Sequence, residues 1–311
     1  MRPSRARHPA RPASTMTAPP PPHAARPASW WEAAFHRDPL AVCTAAARAG
    51  GQVLREWQGR FTASNKGPRD LVTEADLAAQ REIKRILLDA FPDHGFIGEE
   101  AIAGDTPAAH ADLRWIVDPL DGTTNYVHGF PAYCVSIGLA RGDELLVGAI
   151  YDPVHDELFT ARRGGGAACN GRPIKTAAKV DAAAALAAVS FPPQVTVDAE
   201  AVVDFLAVIP HVHAIRRTGS TAINLAYLAC GRLDAFWVRR IACWDVAAGL
   251  LIAAEAGATV GSFGGDASTP VSMAHPSFVA ACTPALYATL CGLLREGASG
   301  ARAATRAGGA G

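Results

Sequence analysis

An α+β first half joined to an α/β second half, with helices covering sheets in layers, is the fold class this sequence predicts. Three observations carry it. Residues 133–174 hold short β-prone runs parted by Gly-Asp and Asp-Pro turn signals. Beyond that stretch helix and strand signals alternate, with no internal repeat. The apolar triplet Trp115-Ile116-Val117 reads as a buried strand that ends in a turn rich in carboxylates. At 311 residues, half of them apolar, the chain can bury a sizeable core as two subdomains or one large domain.

Taken in order, residues 1–28 are Arg, Pro and Ala with no acidic residue, a composition that cannot form a core and predicts a disordered tail. Met16 is a second candidate start, and the clustered prolines argue against a transit peptide. Thr73-Glu74-Ala75-Asp76 has capping-box spacing, and Leu77, Ile83, Ile86, Leu87 and Ala90 form a helical stripe that Pro92 stops. Val135-Ser136-Ile137-Gly138-Leu139, Leu145-Leu146-Val147-Gly148-Ala149-Ile150 and Glu157-Leu158-Phe159-Thr160 predict an antiparallel meander. Residues 220–230 and 246–256 read as helices closed by Gly231 and Gly257, with a strand at 234–238 between them. The Gly, Ala, Arg and Ser of 297–311 predict a second disordered tail. The expected division is therefore 29–180 as an α+β subdomain carrying the site and 181–296 as an α/β subdomain.

Bulk properties exclude several function classes. With 29 basic and 29 acidic residues the net charge is zero, which removes a global electrostatic case for nucleic acid or anionic membrane. The seven cysteines are odd in number, scattered and never spaced C-x-x-C, so neither a disulfide framework nor a zinc site is suggested and a reducing cytoplasm fits. No apolar run approaches the roughly twenty residues of a membrane helix.

The chemistry concentrates in Trp115-Ile116-Val117-Asp118-Pro119-Leu120-Asp121-Gly122-Thr123-Thr124-Asn125 and in Gly98-Glu99-Glu100 upstream. Asp118 and Asp121 should emerge together at the carboxyl end of their strand, where open α/β sheets bind ligands. Pro119 fixes φ, Gly122 permits close backbone approach, and Thr123 and Thr124 offer hydroxyls and amides to an anion. Taken alone, the same string also reads as an ordinary type I turn. Oxygen-only ligands prefer hard cations, so Glu99, Asp118, Asp121 and the distant Asp245 could hold two or three Mg²⁺. Without cations, such crowding would keep some carboxylates protonated. Asp76 could instead face solvent in its first helical turn, and Asp245 could be a helix N-cap. His94, His128 and His155 read as isolated surface residues, and Gly164, Gly165 and Gly166 as a loop rather than a nucleotide-binding turn.

Asp70-Leu71-Val72-Thr73-Glu74-Ala75-Asp76, the Gly98-Glu99-Glu100 and Trp115 to Asn125 strings, and Cys243-Trp244-Asp245-Val246-Ala247-Ala248-Gly249 closely resemble the inositol monophosphatase family. The resemblance covers about residues 31–290. Arg216-Arg217-Thr218-Gly219-Ser220 and Tyr151-Asp152-Pro153 look especially like its bacterial members. It implies a layered αβαβα sandwich of the inositol monophosphatase and fructose-1,6-bisphosphatase type, a homodimer, Mg²⁺ dependence and inhibition by Li⁺. It further implies Glu99, Asp118, the Leu120 carbonyl, Asp121 and Asp245 as metal ligands, with Glu99, Thr123 and Asp76 as the catalytic group that positions and polarises the attacking water. Asp121, Gly122, Thr123, Thr221 and Val238 would line the phosphate and substrate.

Two positions depart from that pattern. Where inositol-specific members carry a Glu that bonds ring hydroxyls, this chain has Val238, followed by Arg239 and Arg240, which could meet a second anion or be solvated at a turn. Thr221 stands at a pocket position that is commonly small. The expected activity is hydrolysis of a small polyol phosphate, with myo-inositol 1-phosphate the leading candidate. Histidinol phosphate, fructose 1,6-bisphosphate and 3′-phosphoadenosine 5′-phosphate are the alternatives. A role associated with RNA or a transcription complex is the reading from another class, to which only the acid-free N-terminal tail leans.

Overall fold

In the computed structural model, which describes residues 37–67, 70–101, 111–192, 194–263, 267 and 269–308, Asp38 opens the first helix. Its side chain accepts from the Leu40 amide at 3.0 Å, and Pro39 occupies the first turn of α1 (Pro39–Trp57). A short antiparallel pair follows, β1 (Ala63–Gly67) with β2 (Asp70–Thr73), leading into α2 (Glu74–Ala90). The expected capping box forms there between Thr73 and Asp76.

The meander expected at 133–174 lies in a seven-stranded sheet. Its strands are β3 (Gly95–Gly98), β4 (Arg114–Asp121), β5 (Cys134–Arg141), β6 (Glu144–Asp152), β7 (Glu157–Arg162), β8 (Gly166–Cys169) and β9 (Arg172–Ile174), in that order. Only β3 and β4 are parallel; the other neighbours are antiparallel. A short helix, α3 (Thr123–Val127), leaves the end of β4.

The second sheet has five strands, from β10 (Leu186–Val189), β11 (Ala214–Arg216), β12 (Ala235–Val238), β13 (Thr259–Ser262) and β14 (Phe278–Ala281), in the order β11-β10-β12-β14-β13. The first three are mutually parallel, and β14 is antiparallel to both β12 and β13. Around them run α4 (Glu200–Val208), α5 (Thr221–Ala229), α6 (Ala247–Glu255) and α7 (Pro284–Gly308). α7 thus extends over residues 297–308, which composition read as part of a tail. Ala and Arg are among the strongest helix formers, so local propensity favours the continuation. The tail at 1–28 lies outside the described residues.

Period-two alternation divides the seven-stranded sheet between two cores. Trp115, Val117, Val135, Ile137 and Leu139 face α1 and α2, whereas Ile116, Cys134, Ile150 and Phe159 join the core shared with α5, α6 and the second sheet. α7 packs on β14 and β13 and against α4. The layers are therefore helix, sheet, helix, sheet, helix, the sandwich that the resemblance implied. α6 approaches the large sheet so closely that a Cβ on Gly148 would lie 2.9 Å from the Ala248 carbonyl oxygen. The glycine run also has a structural use: the Gly164 and Gly166 amides donate to the two Glu255 oxygens at 2.8 and 2.9 Å.

Candidate active site

Asp118 and Asp121 occupy the last turn of β4, where pairing with β5 is interrupted by a bulge between them. Asp118 Oδ1 accepts the Leu120 amide at 2.9 Å, which folds the Asp-Pro-Leu-Asp segment on itself. Gly122 then takes φ 98°, and a Cβ there would sit 2.8 Å from the Ala132 carbonyl oxygen, so the turn accepts no side chain. The chain enters α3 with Thr123 first, and the first-turn amides of a helix have no intrahelical acceptor.

Other elements bring the remaining groups. β3 runs parallel to β4, and the Glu99 amide donates to the Val117 carbonyl at 3.1 Å, which sets Glu99 beside Asp118. Gln80 secures this strand end by bonding the Glu100 amide at 3.0 Å and its carbonyl at 2.6 Å. Asp76, fully buried, accepts the Thr73 amide and hydroxyl on Oδ2 and the Thr123 hydroxyl on Oδ1 at 3.3 Å. The Thr123 hydroxyl also lies 3.1 Å from the Leu120 carbonyl oxygen. Asp121 Oδ2 accepts the Ser220 hydroxyl at 2.7 Å and the Ala222 amide at 2.6 Å, so the start of α5 grips it. Asp245 arrives on the loop before α6, where its Oδ2 accepts the Ala242 amide at 3.3 Å.

These placements gather oxygen ligands from both halves of the chain. Carboxylate oxygens of Asp118, Asp121 and Asp245 lie within 4.8 Å of one another. Burial raises the Asp118 pKa well above the usual carboxylate range, and the charges of Glu99, Asp121 and Asp245 raise it further. Asp121 is pushed up to about 6 by burial, against the lowering pull of its bonds from Ser220 and the α5 amides. Asp245 is also raised well above the usual range, by burial and by Asp121 and Glu99. Asp118 Oδ2 is buried and has no hydrogen-bond donor. An acceptor left so, among like charges, fits a cation, and an all-oxygen donor set fits a hard one.

The sequence-derived residues separate clearly. Asp76, Glu99, Asp118, Leu120, Asp121, Gly122, Thr123 and Asp245 meet at or beside the cluster. Asp76 does not face solvent, and the N-cap of α6 is Val246 rather than Asp245. Thr221 lies in the first turn of α5, its hydroxyl 3.0 Å from that of Ser190, and Val238 closes β12 with 2 % exposure. Arg239 is not held for a ligand but pairs with the buried Asp204 of α4, whereas Arg240 is solvated at the turn, 77 % exposed, and pairs there with the exposed Glu200. His94 is half-buried rather than fully at the surface, its ring stacked on Phe91 at 4.8 Å beside Trp115.

Ser220, Gln80 and Asn125 had not been singled out for the site. Asn125 Nδ2 ties α3 to the loop before α5 through the Ala132 and Thr218 carbonyls at 2.6 and 2.8 Å. Ser220 carried only a helix-start signal, which its bond to Ile223 N satisfies while its hydroxyl proton goes to Asp121.

Comparison with known proteins agrees with this geometry. The model of the inositol monophosphatase family matches residues 37–299. An inositol-1-monophosphatase of Rhizobium meliloti is 42% identical over 215 residues, 68% of this chain and 79% of that protein. A Nus factor SuhB of Xylella fastidiosa is 40% identical over 228 residues, 72% of this chain and 82% of that protein. Among solved structures, the extragenic suppressor protein SuhB of Bartonella henselae superposes with a TM-score of 0.77 at 35% identity, covering 83% of this chain and 98% of that one.

Proposed function

The chain belongs to the inositol monophosphatase family, and from that premise we propose that it is a Mg²⁺-dependent phosphomonoesterase acting on a small polyol phosphate, with myo-inositol 1-phosphate the leading substrate. The observation that carries this reading is the convergence of Asp118, Asp121 and Asp245 within 4.8 Å, with Asp118 Oδ2 buried and undonated. Glu99, Asp118, the Leu120 carbonyl, Asp121 and Asp245 would hold two or three Mg²⁺. Bound there, the metal would supply Lewis-acid polarisation of the phosphoryl group and stabilise the leaving oxygen.

The chain's own groups have separable tasks. Thr123 has one hydroxyl proton and two acceptors in reach, Asp76 Oδ1 and the Leu120 carbonyl, so its oxygen lone pairs are turned to accept a hydrogen bond from an attacking water. Asp76 holds that hydroxyl in orientation, and Glu99 is the carboxylate placed to take the water's proton. The Gly122 and Thr123 amides at the start of α3 receive the phosphate oxygens. In-line attack by water requires no phosphoenzyme.

Substrate choice falls to other residues. Val238 cannot accept a hydrogen bond, and the Thr221 hydroxyl is already engaged with Ser190. Histidinol phosphate, fructose 1,6-bisphosphate and 3′-phosphoadenosine 5′-phosphate therefore stand as alternatives. Phosphate release from these four esters, with and without Mg²⁺ and Li⁺, tests the reading. Mg²⁺-dependent, Li⁺-sensitive release is expected, and Val238→Glu should shift preference toward inositol 1-phosphate. Silence across the panel from folded, Mg²⁺-loaded protein would overturn the assignment, and an unshifted preference would remove Val238 from the specificity site.

The proposal includes a homodimer and a cytoplasmic setting, the latter supported by cysteines that are all unpaired. A second reading, association with RNA or a transcription complex, is favoured by the relative named Nus factor SuhB. A mobility-shift assay with and without residues 1–28 tests it, since retained RNA binding after truncation would remove the tail as its basis.

A further inference from the structure

Asp245 is held within its loop by one amide, that of Ala242 at 3.3 Å, so the position of this carboxylate is set by the position of the loop. The loop is in turn tied outward at three successive residues. Arg239 donates from Nε and Nη2 to the two oxygens of Asp204, the latter at 3.1 Å, and its guanidinium lies 3.7 Å from the centre of the Phe263 ring. Arg240 pairs with Glu200 through its side chain, and its amide donates to the Ser277 hydroxyl at 2.8 Å. The Ile241 amide donates to the Pro276 carbonyl at 3.1 Å.

Two features mark the anchoring of this loop as more than a surface contact. Asp204 is 1 % exposed on α4, and a buried carboxylate is strongly disfavoured once its cation is removed. Arg240 adopts φ 50°, a left-handed conformation that a side-chain-bearing residue keeps only where its surroundings impose it. Arg239 and Asp204 thus clamp a strained turn whose far end presents Asp245 to the cluster.

Resting on the metal reading above, we propose that the Arg239–Asp204 pair is a positioning device for the metal site, holding the 239–245 loop so that Asp245 stays within reach of Asp118 and Asp121. Neither residue contacts the cluster itself. Both act through the loop, and they link the metal ligands to α4.

The test is Mg²⁺ titration, followed by calorimetry and by thermal shift, of the full chain and two variants. Arg239→Lys keeps the charge but loses the planar fork and the ring stacking. The double variant Asp204→Leu with Arg239→Met replaces the buried pair by apolar side chains, an exchange that protein folds tolerate. In both, the Mg²⁺ dissociation constant should rise about tenfold, the range seen when groups behind metal ligands are altered. The double variant should keep its melting temperature in EDTA, and kcat should recover at saturating Mg²⁺. Wild-type Mg²⁺ affinity in Arg239→Lys, or in a folded double variant, would make the pair purely structural and overturn the inference. Failure of the unaltered chain to bind Mg²⁺ would instead bring down the metal reading and this inference together.

Discussion

Asp118 is buried with one oxygen accepting the Leu120 amide and the other lacking a donor, while three further carboxylates crowd it. In the metal-free protein that charge is a cost, which a proton or a cation removes. Asp118→Asn should therefore abolish phosphate release and the Mg²⁺-induced rise in melting temperature, yet leave the EDTA-treated protein at least as stable as the parent at pH 7. Near-normal turnover would sink the metal assignment. At this scale much could be read from the sequence, because Asp118, Asp121 and Gly122 sit on one short turn whose geometry is local. Ser220 could not, since its bond to Asp121 spans 99 residues and looks like any N-cap from the chain alone.

Among the elements, α2 shows how a local signal acquires a distant use. Thr73 and Asp76 form the capping box that their spacing predicts, and the same Asp76 turns its Oδ1 to Thr123 across the site. Thr73→Ala removes the cap and one donor to Asp76, which should cost about 1 kcal/mol of stability in a urea melt. Turnover should fall as well, and Thr73→Ser should restore both. An unchanged melt for the alanine variant would mean that the cap contributes nothing here. The elements themselves were legible where periodicity was strong, as in the meander of β5 to β9 and in α5 and α6 with their closing glycines. The last helix was not, because Gly and Ser in a terminal stretch mask the propensity of the Ala and Arg around them.

Across the whole molecule, the carboxylates couple stability to pH and to metal. Asp121 is raised to about 6 in the folded protein from about 3.9 in an unfolded chain, so between those values the native state binds the extra proton. The stability this group contributes is complete below about pH 4 and lost as pH rises through about 6. Asp118 and Asp245, raised further, extend the loss upward. Mg²⁺ favours the ionised forms and so acts in the opposite sense. The Mg²⁺-induced rise in melting temperature should grow from pH 5 to 7, and Mg²⁺ binding should release protons, read by calorimetry in two buffers of different ionisation heat. A metal effect independent of pH, with no proton release, would mean that these carboxylates are ionised before the metal arrives.

Local information sufficed for the fold class and for the carboxylate turn. Helix caps, period-two strands and the Asp-Pro-Leu-Asp-Gly-Thr segment depend on residues a few positions apart, whose preferences survive in any context. Tertiary structure alone decided which loops meet. It brought Asp245 and Ser220 from the second half to Asp121 of the first, turned Arg239 and Arg240 toward α4 instead of a ligand, and buried Asp118 Oδ2 beyond reach of a donor. Those outcomes depend on layers packing across some hundred residues of chain, and the energies that settle them, burial and charge, exist only once the layers close.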